Sequence, residues 1–566
     1  MQGNLVQNKR GGGKNAKGRK AGNTSGKPLH GVAGLKKHDM KPSSIVFMIY
    51  CLVAAGAFGI EEMIPISGPG LTLTMLIVFP IIWAWPISNM VAEAGSILPS
   101  EGGVYVWVRE AFGEFWGFQA GWWNTVSIYI TNGVYTALVV DYMSQYIDFS
   151  DNIAFIIKLI MISIFTVVNL LGLREVGFVS SVLSALIIAA FATVTVVGLL
   201  NWSQNPMTPY IAEDLSLLEG IGGSVSICVW MYCGYECIST LAGEVKNPQV
   251  IPKGLLFAMP LIAMTYILPT LGGLASIGQW ESWSTDGGAG SVGYADVLAA
   301  NLGSVWAYAF LFVAIISQCA IFNTYLASGS RGFFVMADDH LCPGFMVKVS
   351  KKRGVPYVGV LSLAFVTVLL AQYGFRTLVM AEVIFILALY IILPLAIIKL
   401  RKKIPVSERK GCYIIPGGKI GLWLFTMFPL TLSFVVYFLN GTDYFLIGII
   451  GASTGPVFYM ICKWIYGGRS VNDPKNYPVN PITRLARGDT YRLAVYSLVT
   501  GVMSVVGSVF LRWYEGDGGA EYYAQEAESI FFTDFWWMIG MLKIIGAALL
   551  ITSAVMFITG RIVERR

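Results

Sequence analysis

The chain has 566 residues, of which 55% are hydrophobic and 13% charged, and its mean hydropathy is +0.65. Soluble domains carry roughly a quarter charged residues, so the composition excludes a water-soluble globular protein and points to an integral membrane protein. A formal charge of +6 is concentrated at the start, where Lys9, Arg10, Lys14, Lys17, Arg19, Lys20, Lys27, Lys36, Lys37 and Lys41 face only Asp39.

Residues 1–42 therefore read as a basic, disordered, cytoplasmic tail that signals topology or meets anionic lipid rather than nucleic acid. The first apolar segment comes too late and runs too long for a secretory signal. At about 20 apolar residues per crossing, hydrophobic runs predict spans at 43–66, 70–94, 112–146, 152–172, 177–200, 222–245, 253–279, 301–337, 357–373, 378–400, 420–440 and 444–466. A polar linker over 467–490 follows, then two further spans at 491–513 and 534–561, giving fourteen in a twelve-plus-two pattern.

Loop charges support this order. Arg109, Arg174, Lys246, Lys348, Lys351–Arg353, Arg401–Lys403, Arg469, Arg484, Arg487 and the terminal Arg565 and Arg566 fall on one side. Asp148, Asp151, Glu213, Asp214, Glu219, Glu281, Asp286, Glu515, Asp517, Glu521, Glu526 and Glu528 fall on the other. Basic loops mark the cytoplasmic face, so both termini are expected inside and the chain is expected to be a multi-pass protein of the plasma membrane.

Two spans carry breaks. Ala54-Ala55-Gly56-Ala57-Phe58-Gly59 interrupts the first and Cys233-Gly234-Tyr235 the sixth. If two five-span halves are related by inverted topology, these positions are equivalent, and paired broken helices point to a binding site at the membrane midplane. A carboxylate in hydrocarbon costs at least about 2.5 kcal/mol and is a functional candidate by default. Glu61 and Glu62 follow the first break and Glu236 the second, while Glu93, Asp141, Glu244 and Glu382 lie elsewhere in or at the edge of spans. Gly56, Ala57, Phe58, Gly59, Tyr135, Tyr232, Gly234, Tyr235 and Glu236 form the candidate substrate site. Glu61, Glu62 and Glu236 are the candidate proton-coupling acids, and Glu93 and Glu244 the candidate inner gate. Aromatic rings beside a break also suit an ammonium group. Lys158, Lys463, Arg512 and Lys543 sit near enough to span ends to reach an interface.

The eight cysteines suggest neither a disulfide framework nor a metal site, because His30, His38 and His340 all lie outside the spans. No Gly-x-x-x-x-Gly-Lys-Ser/Thr loop occurs, so ATP hydrolysis is not expected. An enzyme would need an embedded nucleophile or metal cluster, and none is visible. A channel or receptor is the remote alternative, disfavoured by the absence of a recurrent pore loop or a sensor domain.

Phe58-Gly59-Ile60-Glu61-Glu62, Ala92-Glu93-Ala94-Gly95, Leu98-Pro99-Ser100-Glu101-Gly102-Gly103, Ser239-Thr240-Leu241-Ala242-Gly243-Glu244-Val245-Lys246-Asn247-Pro248 and Met336-Ala337-Asp338-Asp339 resemble motifs of the amino acid-polyamine-organocation permeases. The resemblance spans about residues 43–466. It implies an all-α, five-plus-five inverted-repeat core and a secondary transporter of amino acids or polyamines working by alternating access. The polyamine uptake branch is the most similar, with an acid at the position of Glu236, where that branch is expected to carry Asp. Ala55-Gly56-Ala57 stands where many amino acid permeases carry Gly-Ser-Gly, which removes a hydroxyl that would bind a substrate carboxylate. Trp107 to Gly113 also resembles the glutamate/GABA exchangers, which keeps exchange as the alternative. No cofactor is expected. The driving force is expected to be the proton gradient, with a sodium site at Asn323, Thr324 or Ser328 left open.

Overall fold

The computed structural model describes residues 32–54, 56–144, 147–213, 215–285, 291–409, 411–525 and 532–564. The basic tail before Val32, together with Ala55, Asp214, Asp286, Glu526, Glu528, Arg565 and Arg566, lies outside the described residues.

The chain is helical throughout the described residues, and its order follows from apolar runs punctuated by glycine and proline. The first half opens with α1 (Pro42–Val53), a non-helical stretch, and α2 (Met63–Ser67). Next come α3 (Pro69–Phe79) and α4 (Trp85–Ile97), joined by a π-helical turn at Pro80–Ala84. They are followed by α5 (Val104–Phe112), α6 (Glu114–Ser144), α7 (Asp151–Leu171) and α8 (Leu173–Leu200). The second half again opens on a broken helix: α9 (Leu217–Met231) stops, and a 3-10 segment continues over Tyr235–Glu244. Then follow α10 (Val250–Ser276), α11 (Tyr294–Leu302), α12 (Ser304–Gly329), α13 (Gly332–Asp338), α14 (Tyr357–Leu370) and α15 (Phe375–Lys403). Outside these halves lie α16 (Gly418–Leu439), α17 (Thr442–Tyr466), α18 (Asp489–Tyr514), α19 (Gly516–Gln525) and α20 (Phe535–Val563).

Among the described residues, eleven helical stretches are long and apolar enough to cross a membrane, rather than the fourteen expected. Apolar α1 and α14 fall short of that length, with 12 and 14 residues. Helix α6 has 31 residues but buries Gln119, Asn124, Thr125, Thr131 and Asn132, which dilute its apolar character. Thr125, Thr131 and the Asn132 amide nitrogen donate to carbonyls one turn back, at Gly121, Ser127 and Ile128.

The C-terminal helices are fastened to the bundle by polar contacts as well as by packing. Lys463 does not reach an interface as expected. It is buried, and its Nζ donates to Glu114 Oε1 at 2.5 Å. The Tyr459 hydroxyl lies 3.2 Å from the same carboxylate and donates to Asp489 at the start of α18. A buried charge must be paired or it is costly, so this group fixes the register of α6, α17 and α18 against one another.

Candidate functional site

The two breaks exist because the backbone there adopts conformations a helix cannot contain. Gly56 and Gly59 have φ of +114° and +89°, and Gly234 has φ of +95°, all in the region that favours glycine. A Cβ on Gly234 would lie 2.6 Å from Leu52 O, so the second break presses directly against the end of α1. Gly234→Ala is therefore expected to cost about 1–3 kcal/mol through strain alone, with the collision added. It should lower both the melting temperature in detergent and substrate binding, and an unchanged melt together with unchanged binding would show that the break tolerates a side chain.

Each break exposes backbone groups, and neighbouring side chains take up some of them. Glu61 accepts from Gly59 N at 2.9 Å and from the Tyr142 hydroxyl at 3.2 Å. Glu62 points elsewhere: its Oε1 accepts from Ser284 Oγ at 3.0 Å and from Thr285 N and Oγ1, both at 2.6 Å. The adjacent acids thus serve the first break and the 277–293 connection respectively. Ala57 and Phe58 are buried beside them, and Phe58 lies edge-on to Tyr142 and Phe191 at centroid distances of 5.0 and 4.8 Å.

Glu236 is fully buried. Its Oε2 accepts from the Tyr390 hydroxyl at 2.7 Å, and Tyr390 also accepts from Gly234 N at 3.3 Å. A single phenol on α15 therefore holds both the second break and its acid. Glu382, one face along the same helix, accepts from Ser127 Oγ at 2.5 Å and lies within electrostatic reach of Glu236. Neither carboxylate makes an ion pair with a cationic side chain among the described residues. Tyr235 Oη is buried with no hydrogen-bond partner there. Tyr135 packs against Trp230 and Tyr325 at 6.1 and 5.5 Å, while Tyr232 donates to Leu76 O at 2.9 Å and faces Phe79.

Sequence reasoning named Glu382 as an embedded acid but did not join it to Glu236, and it did not name Tyr390, Ser127 or Trp83. Trp83 leaves the π-helical turn and meets Tyr390 edge-on at 5.3 Å. The Pro80 and Pro86 flanking that turn were the available signal, since prolines and π-turns redirect side chains.

At the end of the bundle that carries the basic loops, the two gate candidates are ion-paired. Glu93 Oε1 accepts from Arg401 Nε and Arg409 Nη1, both at 2.7 Å, and its Oε2 from Ile415 N at 2.8 Å. Glu244 accepts from Arg331 Nε and Nη2 at 2.8 and 2.6 Å. Thr240 and Ser328 share a hydrogen bond of 2.9 Å beside it. These contacts tie α4 to the 404–417 loop and the 3-10 segment to α12.

Glu101, in the loop after α4, completes this end. It is buried against Gly243, and a Cβ there would strike its carboxylate. Burial, reinforced by the Glu244 carboxylate and opposed by Arg331, pushes the Glu101 carboxyl well above the usual range. Above an unfolded value of about 4.3, the folded state then holds a proton that the unfolded chain has lost, so this group's contribution falls as pH rises. Thermal stability should decline from mildly acidic to mildly alkaline pH, and Glu101→Gln should flatten the decline. Equal slopes in the two proteins would show that Glu101 is ionised when folded.

Comparison with known proteins agrees with this architecture. The amino acid permease family model matches residues 41–467. The chain belongs to the amino acid permease family. It is 32% identical over 421 residues to a probable polyamine transporter of Arabidopsis thaliana, covering 74% of this chain and 82% of that protein. To the polyamine transporter RMV1 of the same plant it is 28% identical over 450 residues, covering 78% and 89%. The crystal structure of MhsT in complex with L-phenylalanine shares the fold, with a TM-score of 0.57 at 12% identity, over 72% of this chain and 99% of that one. The permease core is thus a secondary transporter scaffold built on two broken helices, and it spans the membrane many times.

Proposed function

We propose that this permease takes up a polyamine or a similar cationic amine across the plasma membrane, with both termini cytoplasmic, and that uptake is driven by protons. The observation that carries this reading is the pair of carboxylates beside the second break, Glu236 and Glu382, both buried without a cationic partner among the described residues. Two uncompensated carboxylates in hydrocarbon are too costly to persist. Charge balance is reached by protons and ammonium groups together: a proton taken from the acidic side neutralises one carboxylate and an ammonium group of the substrate the other, so proton and cationic amine enter together. The surrounding rings of Tyr135, Trp230, Tyr235 and Tyr325 suit cation-π contact. The polyamine transporters among the relatives support the same class.

We assign proton coupling to Glu236 and Glu382, because these two buried acids lie together beside the second break, whereas Glu61 is drawn to Gly59 N and Tyr142 at the first break and Glu62 to Ser284 and Thr285. The oxygens suggested for sodium are also engaged: Asn323 Oδ1 accepts from Asn169, Thr324 Oγ1 pairs with Ser180, and Ser328 Oγ donates to Cys237 O. The test is uptake of labelled spermidine, putrescine and a panel of amino acids into proteoliposomes. Polyamine uptake should rise when the outside is acidified and collapse with a protonophore, and Glu61→Gln and Glu62→Gln should leave that pH dependence in place. Uptake of zwitterionic amino acids alone would overturn the substrate class, and indifference to the protonophore would overturn the coupling.

A further inference from the structure

A cavity of about 500 Å3 lies at the basic-loop end, away from the two breaks. One wall is the segment that leads into α1. There His38 N donates to Glu244 O at 2.7 Å and Lys246 N donates to His38 O at 2.9 Å. This two-bond bridge stitches the approach to the first broken helix onto the end of the second. The opposite walls are the α7–α8 turn and the loop before α14. Gly354 closes that loop over the segment: with φ of +70°, its Cβ would lie 3.0 Å from Lys36 N.

Lys36, Lys37, Arg174, Lys246, Lys352 and Arg353 line the cavity, and only Asp39 and Glu175 oppose them. Among the described residues none of the six forms an ion pair. Arg353 Nη1 donates to Leu171 O at 3.1 Å, which anchors the guanidinium at the rim. Elsewhere at the same end acids meet the guanidiniums directly, Glu93 with Arg401 and Arg409, Glu244 with Arg331, and Asp339 with Arg109 and Arg469. Six cations converging from four separate segments repel one another unless an anion lies among them, and lysine and arginine together are the usual partners of phosphate oxygens.

We propose that this cavity binds a multiply charged phosphate group, which clamps the segment before α1 against Lys352 and Arg353 and thereby stabilises its bridge to Val245. The ligand is either the headgroup of an anionic phospholipid or a soluble phosphate ester, since both present the same chemistry. Because the clamped segment continues directly into the first broken helix, occupancy restrains the movement of α1 relative to the 3-10 segment.

The test uses the full-length protein in two arms, with inositol hexakisphosphate added to detergent-solubilised protein and with protein reconstituted in phosphatidylcholine vesicles with or without phosphatidylinositol bisphosphate. The cavity variant is Lys36→Gln/Lys37→Gln/Lys352→Gln/Arg353→Gln, all exposed positions; the control is Lys402→Gln/Lys419→Gln, also exposed and at the same end. Calorimetry should find hexakisphosphate affinity reduced about tenfold or more in the cavity variant and unchanged in the control. In vesicles, the bisphosphate lipid should slow hydrogen exchange at the His38 and Lys246 amides in the unaltered protein but not in the cavity variant. An effect in the soluble arm alone identifies a soluble ester, and in the vesicle arm alone a lipid headgroup; either upholds the site. No effect of either probe on the unaltered protein, or equal losses in the cavity and control variants, overturns it.

Discussion

Glu236→Gln is expected to reduce polyamine uptake about thirtyfold or more, because removing one charge of a buried, hydrogen-bonded pair costs about 2–5 kcal/mol. The substitution is close to isosteric, and its amide oxygen still accepts from the Tyr390 hydroxyl that now bonds Glu236 Oε2, so insertion and folding should survive. Glu382→Gln is expected to reduce uptake as well and to flatten its dependence on external pH, since it removes one of the two carboxylates that share the proton and the ammonium group. Tyr390→Phe should have a smaller effect of the same kind, because it loosens both Glu236 and Gly234 N without changing the charge of the site. These are read from initial rates of labelled substrate in proteoliposomes, with the melting temperature of each variant as the control for folding. Wild-type rate and apparent affinity in Glu236→Gln would remove the acid from the mechanism.

Glu93→Gln should destabilise the protein by about 3–5 kcal/mol, since one carboxylate compensates two guanidiniums and its loss leaves a charge buried without a partner. Arg409 is 4% exposed, and Glu93 also caps Ile415 N, so the substitution breaks the whole attachment of the 404–417 loop to α4. Replacing Asp339 should cost much less. Its own carboxylate is 19% exposed against 1% for Glu93, so water can reach the charges left behind. The comparison is a thermal melt of each purified variant followed by size-exclusion chromatography. A Glu93→Gln melt no lower than that of Asp339→Asn would show that the paired arginines find other partners or water.

The amino-acid sequence by itself determined the class of molecule, because the scarcity of charge and the long apolar runs admit only a membrane protein. It also located both breaks, because Gly56, Gly59 and Gly234 interrupt apolar runs and only glycine takes those backbone angles without strain. The acids beside the breaks were visible for the same local reason.

Pairing was not. Glu61 and Glu62 are neighbours in sequence but are drawn to different elements, one to Gly59 and Tyr142 and the other to Ser284 and Thr285. Lys463 lies near a span end yet is drawn inward by Glu114, from a helix far earlier in the chain. Tyr390 sits in a strongly apolar helix whose pattern shows no site, and Glu382 stands there as a lone embedded acid; the two join the second break only because α15 packs beside it. Periodicity and glycine fix what one helix does along its own axis. Which faces meet is decided by the rotation and register of helices packed across the bundle, and these are properties of the assembled structure alone.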